Sequence, residues 1–154
     1  MVKPTRVSFG ATAGIVTSMA LLVGLNAANA GKATVIGALL VVAVADNLTD
    51  SLSVHMYQES ECLEKREALL GTLSNFAARF LVCLTFVGIV ALFWMHAVAV
   101  GIVWGMTLLS AMSYILGKSR NVSGFTEIAK HVSVAVLVVI VSQGIGHWIT
   151  AHVI

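Results

Sequence analysis

From Phe80 to Leu116 the chain has no lysine, arginine, aspartate or glutamate. Charged residues make up only 10% of its 154 residues, against 58% hydrophobic ones. A soluble domain carries about 25% charged residues. The shortage excludes an ordinary soluble domain and leaves an integral membrane protein of one compact domain. Cysteine is also scarce. Cys62 and Cys83 form no C-x-x-C and no plausible pair, so both are expected as free thiols. Proline occurs once, at Pro4, ahead of the first apolar run. No internal repeat and no low-complexity linker interrupts the chain. The net charge of +2 is too small for a nucleic-acid footprint, so no nucleic-acid partner is expected. Strict polar–apolar alternation is missing as well. Runs such as 134-VAVLVVIV-141 exclude a membrane barrel and predict an all-α fold.

A membrane-spanning helix needs about 20 mostly apolar residues. Five such spans are expected, at about 8–28, 33–56, 73–94, 97–117 and 131–151. The third and fourth are nearly fused. A tight hairpin at 94-WMHA-97 would separate them, with Trp94 at the interface, where aromatic anchors gather. A short segment, 57–70, carries Glu59, Glu61, Glu64 and Glu67 against Lys65 and Arg66. It reads either as a solvated helix extension with i, i+3 charge pairs or as an acidic mouth that concentrates cations.

The basic residues are Lys3, Arg6, Lys32, Lys65, Arg66, Arg79, Lys118, Arg120 and Lys130. With an inside N-terminus, all but Lys32 fall on the inner face or next to it, as the positive-inside rule requires. The C-terminus, with His147 and His152, is then outside. Lys3, Arg6 and 28-ANA-30 also resemble a signal peptide with its cleavage site, but the apolar run is long for one and reads as a span. The triplets 47-NLT-49 and 121-NVS-123 would lie in the membrane and on the inner side, so neither is a glycan site.

The residues that invite chemistry are Asp46 and Asp50. An aspartate at the centre of a membrane helix costs about 2.5–3.5 kcal/mol, and a neighbouring Leu or Val returns only about 0.3–0.6 kcal/mol. Their i, i+4 spacing puts both on one helix face. That face continues through Ser53 or Val54 to Tyr57 and Glu61. Hard divalent cations favour such oxygens, and a softer ion would also accept His55 or Met56. The candidate metal ligands are therefore Asp46, Asp50, His55, Met56, Glu59 and Glu61. Thr17, Met19, Asn47 and Tyr57 are candidate pathway residues. Arg79, near the start of the third span, is the candidate ion-pair partner, and it gives the acids a purely structural alternative. The patterns 10-GATAG-14 and 101-GIVWG-105 mark close helix approaches, within one subunit or across a dimer.

Three stretches resemble the vacuolar iron transporter family. The run 9-FGATAGIVTSMALLVGLNAA-28 is similar to its opening helix, typically F-G-x-x-D-G-[IL]-[VI]-[ST]. The run 46-DNLTDSLSVHMYQESE-61 resembles the end of its second helix, with Asp50 in the place of a Glu. The run 116-LGKSRNVSGFTEIAKHVSVAVLVVIVSQGIG-146 resembles the link into its last helix. The likeness spans nearly the whole chain at low identity. Two positions depart from it: the family's first-helix Asp falls on Ala13, and its second-helix Met on Asp46. Its Glu-rich cytoplasmic insert is missing. The resemblance implies a homodimer in a lipid bilayer that moves Fe²⁺ or Mn²⁺ out of the cytosol against protons. No permanently bound cofactor is implied; the metal is cargo. The membrane would be the plasma membrane of a prokaryote, or a vacuolar or other organelle membrane of a eukaryote.

An enzyme is not expected. The D-x-x-x-D pattern is similar to that of lipid-head-group phosphotransferases. Those also need an upstream D-G-x-x-A-R and a Gly four residues before the pair, where Val42 stands here. The remaining alternative is a non-transporting membrane scaffold or subunit with Asp46 and Asp50 held by Arg79.

Overall fold

The computed structural model describes residues 4–61 and 65–153. Lys3, Cys62 and Glu64 lie outside the described residues, as do the side chains of Arg6, Lys65 and Glu67. The described chain is helical, with no strand. We number the helices α1 (Pro4–Ala27), α2 (Lys32–Ser60), α3 (Lys65–Leu92), α4 (Ala97–Ser119) and α5 (Gly124–His152). A 3₁₀ turn, Trp94–His96, joins α3 to α4 at the expected hairpin. All five helices are long and apolar enough to cross a membrane.

The helices outrun the apolar runs. α2 continues to Ser60 rather than ending at 56, α3 starts at Lys65 rather than 73, and α5 starts at Gly124 rather than 131. Within segment 57–70, residues 57–60 and 65–70 are helical. Hydropathy marks the part of a helix that lipid can cover, not where its hydrogen bonding stops. A 29-residue helix such as α2 or α5 measures about 43 Å, against about 30 Å of hydrocarbon.

α1 is the central post. It packs against all four other helices, and Ile15, Met19 and Leu22 are buried in the core with Leu39 of α2, Phe86 of α3 and Leu109 of α4. Both GxxxG patterns are used inside the chain. Gly101 and Gly105 of α4 leave the room that Leu22 and Met19 fill. Gly10 and Gly14 of α1 lie against Asn75 and Arg79 of α3. Met19, a candidate pathway residue, is fully buried in this apolar contact.

Two asparagines end helices. Asn29 after α1 (φ 57°) and Asn121 after α4 (φ 55°) take the left-handed conformation that closes a helix, which Asn tolerates better than most residues. At the same end as Asn29, Lys32 Nζ donates to the Ala91 carbonyl at 2.7 Å, satisfying an orphan acceptor at the C-terminus of α3.

α2 carries one irregularity, a π-helical turn at Val42–Asp46. The Asn47 N–H reaches back five residues to the Val42 carbonyl. A straight α-helix turns every 3.6 residues, so a stripe of every fourth residue drifts around it. The wider turn offsets that drift. Val35, Leu39, Ala43, Asn47 and Ser51, spaced by four, are all buried. π turns of this kind often sit at functional positions.

Candidate functional site

The π turn delivers Asp46 directly, and Asp50 follows one α-turn later. Both carboxylates meet Arg79 of α3. One guanidinium nitrogen donates to Asp46 Oδ2 and another to Asp50 Oδ2. The Arg79 side chain is buried, at 6% exposure. The acids are not: Asp46 is 49% and Asp50 32% exposed. The guanidinium therefore holds the acids from within the bundle, while their outer sides remain open. Its stem reaches them past Gly14 of α1, where an added Cβ would stand 3.1 Å from Arg79 Cγ. Asp46 is the midpoint of α2, with fourteen residues from Lys32 before it and fourteen to Ser60 after it.

The charges do not cancel. Two carboxylates and one guanidinium leave one net negative charge. An ion pair made only to hold two helices together needs one acid. A second acid on the same cation adds a charge that a proton or a cation would neutralise.

The structure separates the other candidates. His55 approaches Thr72 Oγ1 at 3.3 Å and Glu59 at 3.5 Å, five residues beyond Asp50 toward the Glu61 end. Met56 and Tyr57 are exposed, at 62% and 64%, as are Glu59 and Glu61. Ser53 is exposed too, so the stripe expected from Asp46 to Glu61 lies on the outer surface of the single chain. Among the described residues, no three His, Cys, Asp or Glu side chains come together as a metal-ligand group. Thr17 lines a cavity of about 320 Å³ between α1 and α5, away from the acids. Asn47 is fully buried. Its Nδ2 donates to the Ala43 and Phe76 carbonyls, at 3.2 and 3.0 Å. α1 and the Asn47 face of α2 are sheathed by other helices, so their polar groups turn into the bundle. A larger cavity of about 540 Å³, lined by Asn26, Asn29, Gln143 and His147, opens at the Lys32 end of the bundle, and no triad residue lines it.

Spacing alone pointed past one group of residues. The buried stripe of α2 changes character at its middle. Val35, Leu39 and Ala43 are apolar; Asn47, Ser51 and Gln58 are polar. α3 mirrors it, with Gly71, Asn75 and Arg79 on the polar half and Cys83, Phe86 and Val90 on the other. The four-residue spacing of Asn47–Ser51 and of Asn75–Arg79 was the available signal.

No protein-family model, curated protein or solved structure matches this chain.

Proposed function

We propose that the chain is a multi-pass membrane carrier that exports a divalent cation of the Fe²⁺ or Mn²⁺ class from the cytosol in exchange for protons. Asp46 and Asp50 bind the cation, and Arg79 is the resident counter-charge that occupies them when it is absent. The carrying observation is that two acids share one buried guanidinium, with both acids part-exposed on their outer side. Charge balance supports the exchange. The two acids with Arg79 and one proton are formally neutral; with a divalent ion in place of the proton the same three side chains carry one positive charge, so loading requires the guanidinium to move off the acids. Loading the cation would release the proton and displace the guanidinium, whose charge must then be met by water or by another group. Carboxylates must be deprotonated to bind a metal, which couples the two events. The likeness of 46-DNLTDSLSVHMYQESE-61 to the vacuolar iron transporter family supports the same class of cargo, and the family's dimer would supply ligands from a second copy. The placement of basic residues supports an inside N-terminus and an outside C-terminus.

A second reading is favoured by Arg79 itself. A buried guanidinium bonded to both acids fits a static clamp in a non-transporting scaffold. The two readings part on one experiment. The triple substitution Asp46→Asn, Asp50→Asn, Arg79→Gln leaves no charge behind in the bundle. Reconstituted in vesicles, it should fold and lose metal-stimulated proton flux that the unaltered chain shows. No such flux from the unaltered chain would leave the clamp.

A further inference from the structure

Six buried side-chain atoms among the described residues have no hydrogen-bond partner: Asn47 Oδ1, Ser51 Oγ, Gln58 Oε1, Asn75 Nδ2 and Oδ1, and Arg79 Nε. All six belong to residues of α2 and α3. The five residues are nine-tenths or more buried, from Asn47 at 0% to Gln58 at 8%. Orphaned polar groups inside a membrane bundle are costly, and buried ones are ordinarily satisfied by protein or by ordered water.

Their order along the seam is informative. α2 and α3 run antiparallel, joined near Glu61. Gln58 lies against Gly71 nearest that end. Next toward the middle come His55 with Thr72, which do find each other. Ser51 and Asn75 follow, with Gly10 of α1 pressed on Asn75. Then come Asn47, Asp50 and Arg79. Beyond the triad the seam turns apolar. Ser18 is satisfied by Cys83 Sγ at 3.4 Å, and Leu39, Phe86, Met19, Val35, Val90 and Leu22 close the remaining length without exposure.

We propose that this seam is a one-sided water path. It would hold a file of water linking the aqueous phase at the Glu61 end to Asp50 and Arg79, with a dry plug between the triad and the Lys32 end. Water fits the requirement, because each molecule both donates and accepts and so meets orphan oxygens and nitrogens alike. Gly71 lets the Gln58 amide lie directly against the α3 backbone: a Cβ there would stand 2.6 Å from Gln58 Nε2. Within the carrier reading, on which its purpose rests, the path delivers protons to the acids from the cytosolic side alone. Its existence does not require transport.

The test uses the reconstituted chain with Cys62→Ser and Cys83→Ala, carrying one cysteine at a time. Ag⁺ is the probe, since it is as small as a dehydrated monovalent ion and reacts with thiols. Ser51→Cys and Gln58→Cys should react from the Glu61 side about tenfold or more faster than Val35→Cys and Leu39→Cys, which should stay protected from both sides. Equal protection at all four positions overturns the path. Reaction of Leu39→Cys from the Lys32 side overturns the plug. A measurement on the unaltered chain guards against misfolding of these variants: the Asn75 side-chain amide should show magnetisation transfer from water in detergent micelles, and a dry Asn75 overturns the path. Failure of the carrier reading looks different, as loss of cation flux from the unaltered chain with Ser51→Cys still reactive.

Discussion

Gly14 of α1 touches Arg79 of α3 at the crossing of the two helices. A Cβ on Gly14 would lie 3.1 Å from Arg79 Cγ and 3.2 Å from the Arg79 carbonyl oxygen. One turn away the fit is tighter still. A Cβ on Gly10 would be 2.5 Å from the Asn75 carbonyl oxygen. That neighbour is backbone and cannot rotate aside. Gly10→Ala should therefore destabilise by about 1–3 kcal/mol, the usual range for overpacking, and Gly14→Ala by less. Gly37 and Gly88 have open space around them, so alanine there should be neutral or slightly stabilising. Thermal unfolding of the four variants in detergent checks the order.

Charge balance in the triad sets an unusual ranking of substitutions. Asp46→Asn or Asp50→Asn alone leaves one acid on Arg79, a neutral pair, and should be tolerated. Asp46→Asn with Asp50→Asn leaves a buried guanidinium alone. Breaking a buried pair by removing the partner costs about 3–5 kcal/mol, with the lower part of that range expected here because the acids are part-exposed. Arg79→Gln leaves two acids side by side and should be destabilised likewise. Unfolding midpoints should therefore fall in both of these and recover in the triple substitution. If the double acid substitution proved as stable as either single one, the pairing would carry no energy.

Flux follows a different order from stability. Either single acid substitution should keep the fold and lose most metal-stimulated proton flux, because one carboxylate cannot neutralise a divalent ion. Arg79→Lys keeps the charge but loses the two-pronged geometry that engages both acids. It should fold and show altered cation affinity. Vesicles loaded with a metal-sensitive dye and a pH dye together report both.

The orientation is tested by labelling. A cysteine at Asn121 should react with a membrane-impermeant maleimide from the cytosolic side, and one at Val153 from the opposite side. The reverse pattern would turn the water path to the outer face.

Lys32 offers a smaller test. Its ammonium donates to the Ala91 carbonyl from an exposed position, so Lys32→Met should lower stability by about 1 kcal/mol or less, read as a small drop in unfolding midpoint.

Much of this arrangement was legible from residues alone, because lipid imposes a length and a composition. The five helices follow from the apolar runs and the charge-free stretch Phe80–Leu116. The hairpin at Trp94–His96 follows from that stretch being too long for one crossing. Arg79 stood out as the one cation near the acids. What was hidden depended on rotation about a helix axis. Reading α2 with a regular 3.6-residue turn places Asp46, Asp50 and Tyr57 on one stripe, and that stripe is the open side. The buried side is the neighbouring one, Asn47, Ser51 and Gln58, held toward α3 by a π turn that no residue in 42-VAVAD-46 announces. The glycine pairs announced close contact but not with whom. Only three dimensions assign Gly14 to Arg79 and Gly105 to Met19.

The three-residue link at Trp94–His96 has a consequence for biogenesis. Its two arms, α3 and α4, are joined too tightly to assemble far apart, yet both rest on α1. α1 precedes the hairpin in the chain and lies between its arms, so the arms close astride a helix that must already be in place. A nascent chain whose opening helix has been cut away would bring Phe86 and Gly105 together across an empty slot.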